Sequence, residues 1–213
     1  MRCAVFASGG GSNFQTLIDR QETGELHATL ALLVGNNSSA TAFDRARRHG
    51  IPTLHIAPSH FDSQQLYTER LLQELERHGI EIIALAGYMK MLPPELVERY
   101  RNRIVNIHPG LLPAFGGKGM YGKRVHEAVL AYGCKLTGVT VHFVDEEYDH
   151  GPVITQEPVP VLDEDTAETL AARVLRVEHA AFWRAVNALA QGSIRVEGRK
   201  VIGTVERYVS LPV

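Results

Sequence analysis

Asn106 and His108 stand two residues apart at the end of an apolar run, Ile104-Val-Asn106-Ile-His108-Pro109-Gly-Leu-Leu-Pro113. Such a run reads as a buried strand, and residues i and i+2 of a strand project from one face. The pair joins an amide that can donate to an oxygen gaining negative charge with an imidazole that titrates near neutral pH. An acidic loop, Asp145-Glu-Glu-Tyr-Asp149-His150-Gly151-Pro152, offers a carboxylate that would hold the charged imidazole and raise its pKa. Gly151-Pro152 fixes the turn directly after Asp149, which favours that residue, although Asp145 fits nearly as well. Amide, imidazole and carboxylate together suit acyl transfer through a tetrahedral intermediate. The pattern supplies no covalent nucleophile, since Cys3 falls inside an apolar run and no Gly-x-Ser-x-Gly occurs. Direct attack by a substrate amine on a bound acyl donor is the chemistry expected.

A second motif, Ser8-Gly9-Gly10-Gly11-Ser12-Asn13, separates an apolar run from an amphipathic stretch. Glycines there let the backbone approach an anion, and the N–H groups of a helix start point at it. No Gly-Lys-Ser/Thr follows, and Phe14 occupies the place of a third dinucleotide-motif glycine. A single phosphate on a small substrate fits better than a nucleoside triphosphate, with Ser12 and Asn13 adding side-chain donors. The ten histidines are scattered without His-Glu-x-x-His, and Cys3 and Cys134 form no Cys-x-x-Cys, so no metal is expected.

The elements that must position these groups alternate from the first residues. Apolar runs at Cys3–Ala7, Ala28–Val34, Thr53–Ile56, Ile80–Ala86 and Ile104–Ile107 read as strands. Helical spacing separates them at Asn13–Arg20, Thr41–His49, from a Ser63 cap to His78, and from Pro93-Pro94 to Tyr100. Continuously apolar strands alternating with helices belong in a parallel sheet covered on both faces. After His108 the rhythm changes. Arg124–Tyr132 is helical, Thr137–Val144 alternates like a half-exposed strand, and Val153–Val161 reads as an antiparallel neighbour. Asp165 or Thr166 caps a long helix to about Gln191, and Ile194–Val205 suits a hairpin around Glu197-Gly198. The expectation is one α/β domain over residues 1–213. Residues 1–107 form a phosphate-binding half, 108–192 the half that carries catalysis and binds the acyl donor, and 193–213 a tail.

Composition narrows the partners. A formal net charge of −2 and no basic block leave no footprint for nucleic acid. No apolar stretch approaches the roughly 20 residues of a membrane span, and glycines interrupt the N-terminal run too early for a signal peptide. Two distant cysteines suit a reducing compartment, so a cytoplasmic location is expected.

Over residues 1 to about 192 the chain resembles the phosphoribosylglycinamide formyltransferases, folate-dependent enzymes of purine synthesis. Four motifs carry the resemblance: Ser8-Gly-Gly-Gly-Ser-Asn13, Leu85-Ala-Gly-Tyr-Met-Lys-Met-Leu92, Asn106-Ile-His-Pro-Gly-Leu-Leu-Pro113, and Val141-His-Phe-Val continuing to Asp149-x-Gly-Pro152. The last two are shared by a wider formyltransferase group, whereas the N-terminal loop separates the purine enzymes. The resemblance implies a Rossmann-like formyltransferase fold, mostly parallel, with helices on both faces and antiparallel strands in the C-terminal part. It implies catalysis by Asn106, His108 and Asp149, which selects Asp149 over Asp145. It implies that Gly11, Ser12, Asn13 and Glu178 bind glycinamide ribonucleotide. Met89, Lys90, Met91 and Leu92 would line the pocket for 10-formyltetrahydrofolate, the co-substrate, together with Asn106. Gln64 stands where many relatives carry a basic residue near the folate, and His150 where glycine is common. The glycine-rich stretch 113–123 is expected to form a mobile flap, with Lys118 or Lys123 as a counter-ion for phosphate. The implied reaction is formyl transfer to the ribonucleotide amine in IMP synthesis, by a monomer or homodimer. A 10-formyltetrahydrofolate hydrolase or another folate-dependent formyltransferase is the alternative.

Overall fold

The structure is a computed structural model that describes residues 1–206. The chain divides into two compact units, Met1–Val105 and the residues from Asn106 onward. In the first, strands β1 (Arg2–Ala7), β2 (Thr29–Gly35), β3 (Thr53–His55) and β4 (Ile82–Leu85) alternate with helices. These are α1 (Ser12–Glu22), α2 (Ala42–Arg48), α3 (Gln64–Arg77) and α4 (Pro94–Arg99). The strands lie in the order β3-β2-β1-β4, and the β1–β2, β1–β4 and β2–β3 pairs are parallel. After their first residues β1 and β2 are buried at every position, and β4 is buried throughout. A strand buried on both faces has no use for polar alternation, which is why these segments read as continuous apolar runs. Ser63 caps α3 as expected, its Oγ accepting from Leu66 N at 3.2 Å. A short 3-10 turn at Pro58–His60 has no periodic signal in the sequence.

β5 (Ile104–His108) follows β4 in the strand order, and β6 (Leu136–Phe143) and β7 (Val153–Pro160) continue it in the second unit. The β6–β7 pair is antiparallel. Helices α5 (Lys123–Tyr132) and α6 (Ala167–Ala190) pack in this unit, followed by the hairpin β8 (Ile194–Glu197) and β9 (Lys200–Gly203). The fold is thus mixed α/β with a mostly parallel central sheet and antiparallel pairs towards the C-terminus. The final residues of the expected tail, 207–213, lie outside the described residues.

One expectation is corrected. The alternation in Thr137–Val144 suggests a strand with one wet face, but β6 is buried at every position after Leu136. Thr140 turns towards the segment after β5. Thr140 Oγ1 donates to Gly110 O at 2.7 Å and accepts from Leu112 N at 3.0 Å. Polar alternation therefore marks an inward face, on which the Thr140 hydroxyl is satisfied by loop backbone rather than by water.

Of the two candidates, Thr166 caps α6, closing a reciprocal box with Thr169. Asp165 instead receives both guanidinium nitrogens of Arg173, at 2.6 and 2.7 Å, plus Leu162 N and Thr169 Oγ1, each at 2.8 Å. Arg173 also donates to Pro160 O at 3.0 Å, tying α6 to the end of β7. The Arg173 bonds hold the Asp165 carboxyl far below the usual carboxylate range. A carboxylate depressed in the folded state contributes stability above its unfolded pKa and loses it as pH falls through the folded value. Arg173→Ala is expected to cost about 2–3 kcal/mol at pH 7. The difference between variant and parent, followed by urea denaturation, should shrink as pH is lowered below about 4.

Candidate active site

The second unit brings Asn106, His108 and Asp149 together. Two-residue spacing on β5 places Asn106 and His108 against opposite oxygens of one carboxylate. Asn106 Nδ2 lies 3.5 Å from Asp149 Oδ1, and His108 Nδ1 lies 3.5 Å from Oδ2. Asp149 also accepts from Gly117 N at 2.9 Å. Its backbone adopts φ 54, a left-handed conformation that Asp tolerates better than most side chains.

His108 is almost fully enclosed, with 3% of its surface exposed. Its Nε2 lies 3.0 Å from the Phe115 carbonyl, which can only accept, so Nε2 carries a proton. Protonation at Nδ1 would turn the approach to Asp149 into an ion pair. The expected raised pKa is corrected by the structure: burial dominates and moves the imidazole below its ordinary value. Asp149 acts upward, as expected of the carboxylate, His142 acts downward, and the Phe115 carbonyl acts upward. Burial would raise the Asp149 carboxyl, but the His142 contact, the charge of His108 and the Gly117 N–H hold it below the usual value.

His142 is a neighbour that sequence reasoning left without a role. Its Nδ1 lies 2.7 Å from Phe143 O and so donates there, while Nε2 lies 3.1 Å from Asn106 Nδ2 and 3.7 Å from Asp149 Oδ1, a carboxylate oxygen that can only accept. This sets the Asn106 amide with nitrogen, not oxygen, towards His142 and Asp149. The signal was present in Val141-His-Phe-Val; what misled was the assumption that the His side of the strand faces water. His126 on α5 is also buried, its pKa lowered by burial and then by the charge of His108.

The segment 110–117 is fastened to these residues by the Phe115 carbonyl, the Gly117 N–H and Thr140, and Gln156 Nε2 donates to Leu112 O at 2.8 Å. Lys123, offered as a phosphate counter-ion, pairs with Glu168 at 2.6 Å and Glu127 at 3.6 Å. Glu178 lies half-buried on α6. His150, unexplained from sequence, lies 2.7 Å from Asp145 Oδ2 through Nδ1.

The remaining expected binding residues belong to the first unit. Gly11 precedes α1 with φ 67 and no side-chain cap, and a Cβ there would lie 2.8 Å from Ala42 Cβ. Glycine at this point satisfies both the left-handed turn and the close approach of α2. Arg45 Nε holds the Gly10 carbonyl at 2.9 Å while its Nη1 reaches Gln15 Oε1 at 2.9 Å. Ser12 is half-buried and Asn13 buried, at the uncapped start of a helix where N–H groups favour an anion. Ser8 Oγ donates to Asn36 Oδ1 at 2.6 Å and accepts from Met89 N at 2.9 Å, joining the loops after β1, β2 and β4. Met89 and Met91 are about half exposed, Lys90 is exposed, and Leu92 is buried. Gln64 opens α3 and is exposed. Among the described residues, no group of three or more His, Cys, Asp or Glu is placed to hold a metal ion. No helix there is long and apolar enough to cross a membrane.

Residues 1–186 match the family described as formyl transferase. The chain is 45% identical over 193 residues to the chloroplastic phosphoribosylglycinamide formyltransferase of Vigna unguiculata, across 91% of this chain and 62% of that protein. It thus spans about three fifths of that relative's length. It is 38% identical over 176 residues to phosphoribosylglycinamide formyltransferase of Bacillus subtilis, across 83% of this chain and 88% of that one. Its fold is similar to the crystal structure of glycinamide ribonucleotide transformylase 1 from Symbiobacterium toebii, with a TM-score of 0.89 at 36% identity. That match covers 95% of this chain and 93% of the other.

Proposed function

Since the chain belongs to the formyl transferase family, with the phosphoribosylglycinamide formyltransferases, we propose that it moves a formyl group from 10-formyltetrahydrofolate to the amine of glycinamide ribonucleotide. The observation that carries this reading is the grouping of Asn106 and the buried His108 imidazole about one carboxylate, Asp149, each at 3.5 Å. The amine nitrogen attacks the formyl carbon, forming the new C–N bond and placing negative charge on the formyl oxygen. The Asn106 N–H that lies at the outer limit of a bond to Asp149 turns to that oxygen. His108, held towards its neutral form by burial, takes up the proton the amine sheds, and the resulting imidazolium is paired with Asp149. It then passes that proton to the folate N10 as the bond from the formyl carbon to N10 breaks, releasing tetrahydrofolate and the formylated ribonucleotide.

Gly11, Ser12 and Asn13 bind the ribonucleotide phosphate through backbone N–H groups and side-chain donors, and Glu178 contacts the same substrate. Met89–Leu92, Gln64 and Asn106 serve the folate, for which half-exposed methionines beside a buried leucine supply apolar contact with a flat heterocycle. Residues 1–107 would then hold the phosphate site together with Gln64, Met89–Leu92 and Asn106, and residues 108–192 would hold His108 and Asp149 of the catalytic group. We place the enzyme in the cytoplasm, acting on small molecules without a metal, as a monomer or homodimer; Cys3 and Cys134 are both free thiols.

A spectrophotometric assay of folate turnover tests the reading. Tetrahydrofolate should form only when glycinamide ribonucleotide is added, in step with formylated ribonucleotide. Equal release of formate with and without the ribonucleotide would instead identify a hydrolase.

A further inference from the structure

The hairpin β8–β9 lies beyond residues 1–186, the segment that matches the formyl transferase family. Its turn nevertheless reaches the loop that carries Asp149. Arg199 Nη2 donates to the carbonyl of His150 at 2.6 Å, and Arg199 Nη1 stands 3.2 Å from His150 Nε2. A guanidinium can only donate, so Nε2 accepts and the ring proton sits on Nδ1, where Asp145 Oδ2 receives it at 2.7 Å. Asp145 Oδ1 accepts in turn from Glu147 N at 3.0 Å. The 145–150 loop is closed on itself by Asp145 and His150 and fastened from outside by Arg199.

The loop has reason to need fastening. Asp149 holds a left-handed backbone, a conformation that persists in a non-glycine residue when its surroundings over-determine it. On one side of Asp149 the chain has no slack, because a Cβ at Gly151 would lie 1.9 Å from Phe143 O. The support for Arg199 is itself fixed. Ile194 is buried, Ser193 N donates to Ala188 O at 2.9 Å, and Thr204 N donates to Ser193 O at 3.2 Å, so the hairpin base is seated on the end of α6.

We propose that Arg199 and His150 are positioning residues: the C-terminal hairpin braces the 145–151 turn so that the Asp149 carboxylate stays on His108. This rests on the catalytic role proposed above for Asp149. Neither residue touches the reacting atoms; both act through the backbone that presents the carboxylate.

The test uses the full chain and its Arg199→Ala, Arg199→Lys and Asp149→Asn variants, with two independent readouts. Amide hydrogen exchange over residues 144–152 should accelerate by about tenfold or more in Arg199→Ala while the α6 amides stay protected. In formyl-transfer kinetics, kcat should fall about tenfold, short of the hundredfold that a full misplacement costs, with both KM values little changed. The limb of the kcat–pH profile set by His108 should move to lower pH, as in Asp149→Asn, because Asp149 is what raises that imidazole. Arg199→Lys, which keeps one donor, should recover part of each effect. Parental exchange and parental kcat in Arg199→Ala overturn the proposal, and so does a lower kcat with an unmoved pH limb, which indicates a structural role only. If Arg199→Ala fails to fold, His150→Ala decides by the same readouts, since it removes the ring contacts and spares the carbonyl bond. Should Asp149→Asn keep parental turnover, the catalytic reading fails separately, and exchange alone then supports or overturns the brace.

Discussion

Alanine at His108 is expected to lower formyl-transfer turnover by about two to four orders of magnitude, the range of a lost acid–base or oxyanion group. Asp149→Ala should do the same. Folate affinity should change little in either variant, because the folate contacts proposed at Met89–Leu92 are untouched. The ring of His108 is buried against Phe115 O and Asp149, so its removal also leaves a void, and a thermal melt must accompany the kinetics. Asp149→Asn separates charge from shape, since an amide oxygen can still accept from Gly117 N while no longer pairing with an imidazolium. A folded His108→Ala or Asp149→Ala protein with near-parental turnover would remove the mechanism.

Gly151→Ala should be the most damaging single methyl group near the site. The added carbon would lie 1.9 Å from Phe143 O, 2.8 Å from Phe143 C and 3.3 Å from Asp145 N, all backbone atoms without a rotamer to yield. The neighbouring bond from Phe143 N to Pro152 O, 2.8 Å, pins the two segments together. An overpacking cost of about 3 kcal/mol is expected, or roughly 6–12 °C in Tm for a chain of this size. Turnover should fall in parallel as the Asp149 turn is displaced. Gly24→Ala provides the comparison, because its Cβ would meet open space and only the positive φ of 77 resists it. That cost is about 1–2 kcal/mol. Equal melting temperatures for the two variants would contradict the packing argument.

The alternation of apolar runs with helical spacing made most of the fold legible, because parallel strands buried on both faces leave an unbroken apolar record. Asn106 and His108 were legible as a pair because strand periodicity fixes which side chains share a face. Three things were not. Periodicity says that Thr140 and His142 share a face but not which way it points, and on β6 it points inward. The net direction of the His108 shift depends on how completely loop 110–117 closes over the ring, a matter of backbone path rather than residue type. The partners of His150 depend on Arg199, forty-nine residues onward, which no local pattern connects to Asp145. The choice of Asp149 over Asp145 came from resemblance, and Asp145 proves to be engaged with His150.

Ser8 shows how much can depend on one small side chain. Its single oxygen serves as donor to an asparagine amide and acceptor for a main-chain nitrogen eighty-one residues away. Deleting that atom orphans both partners in one stroke, so the damage from Ser8→Ala and from Asn36→Ala overlaps instead of adding. Three strand exits in the amino-terminal half are thus spliced at a point, and a perturbation arriving at any one of them is shared among all.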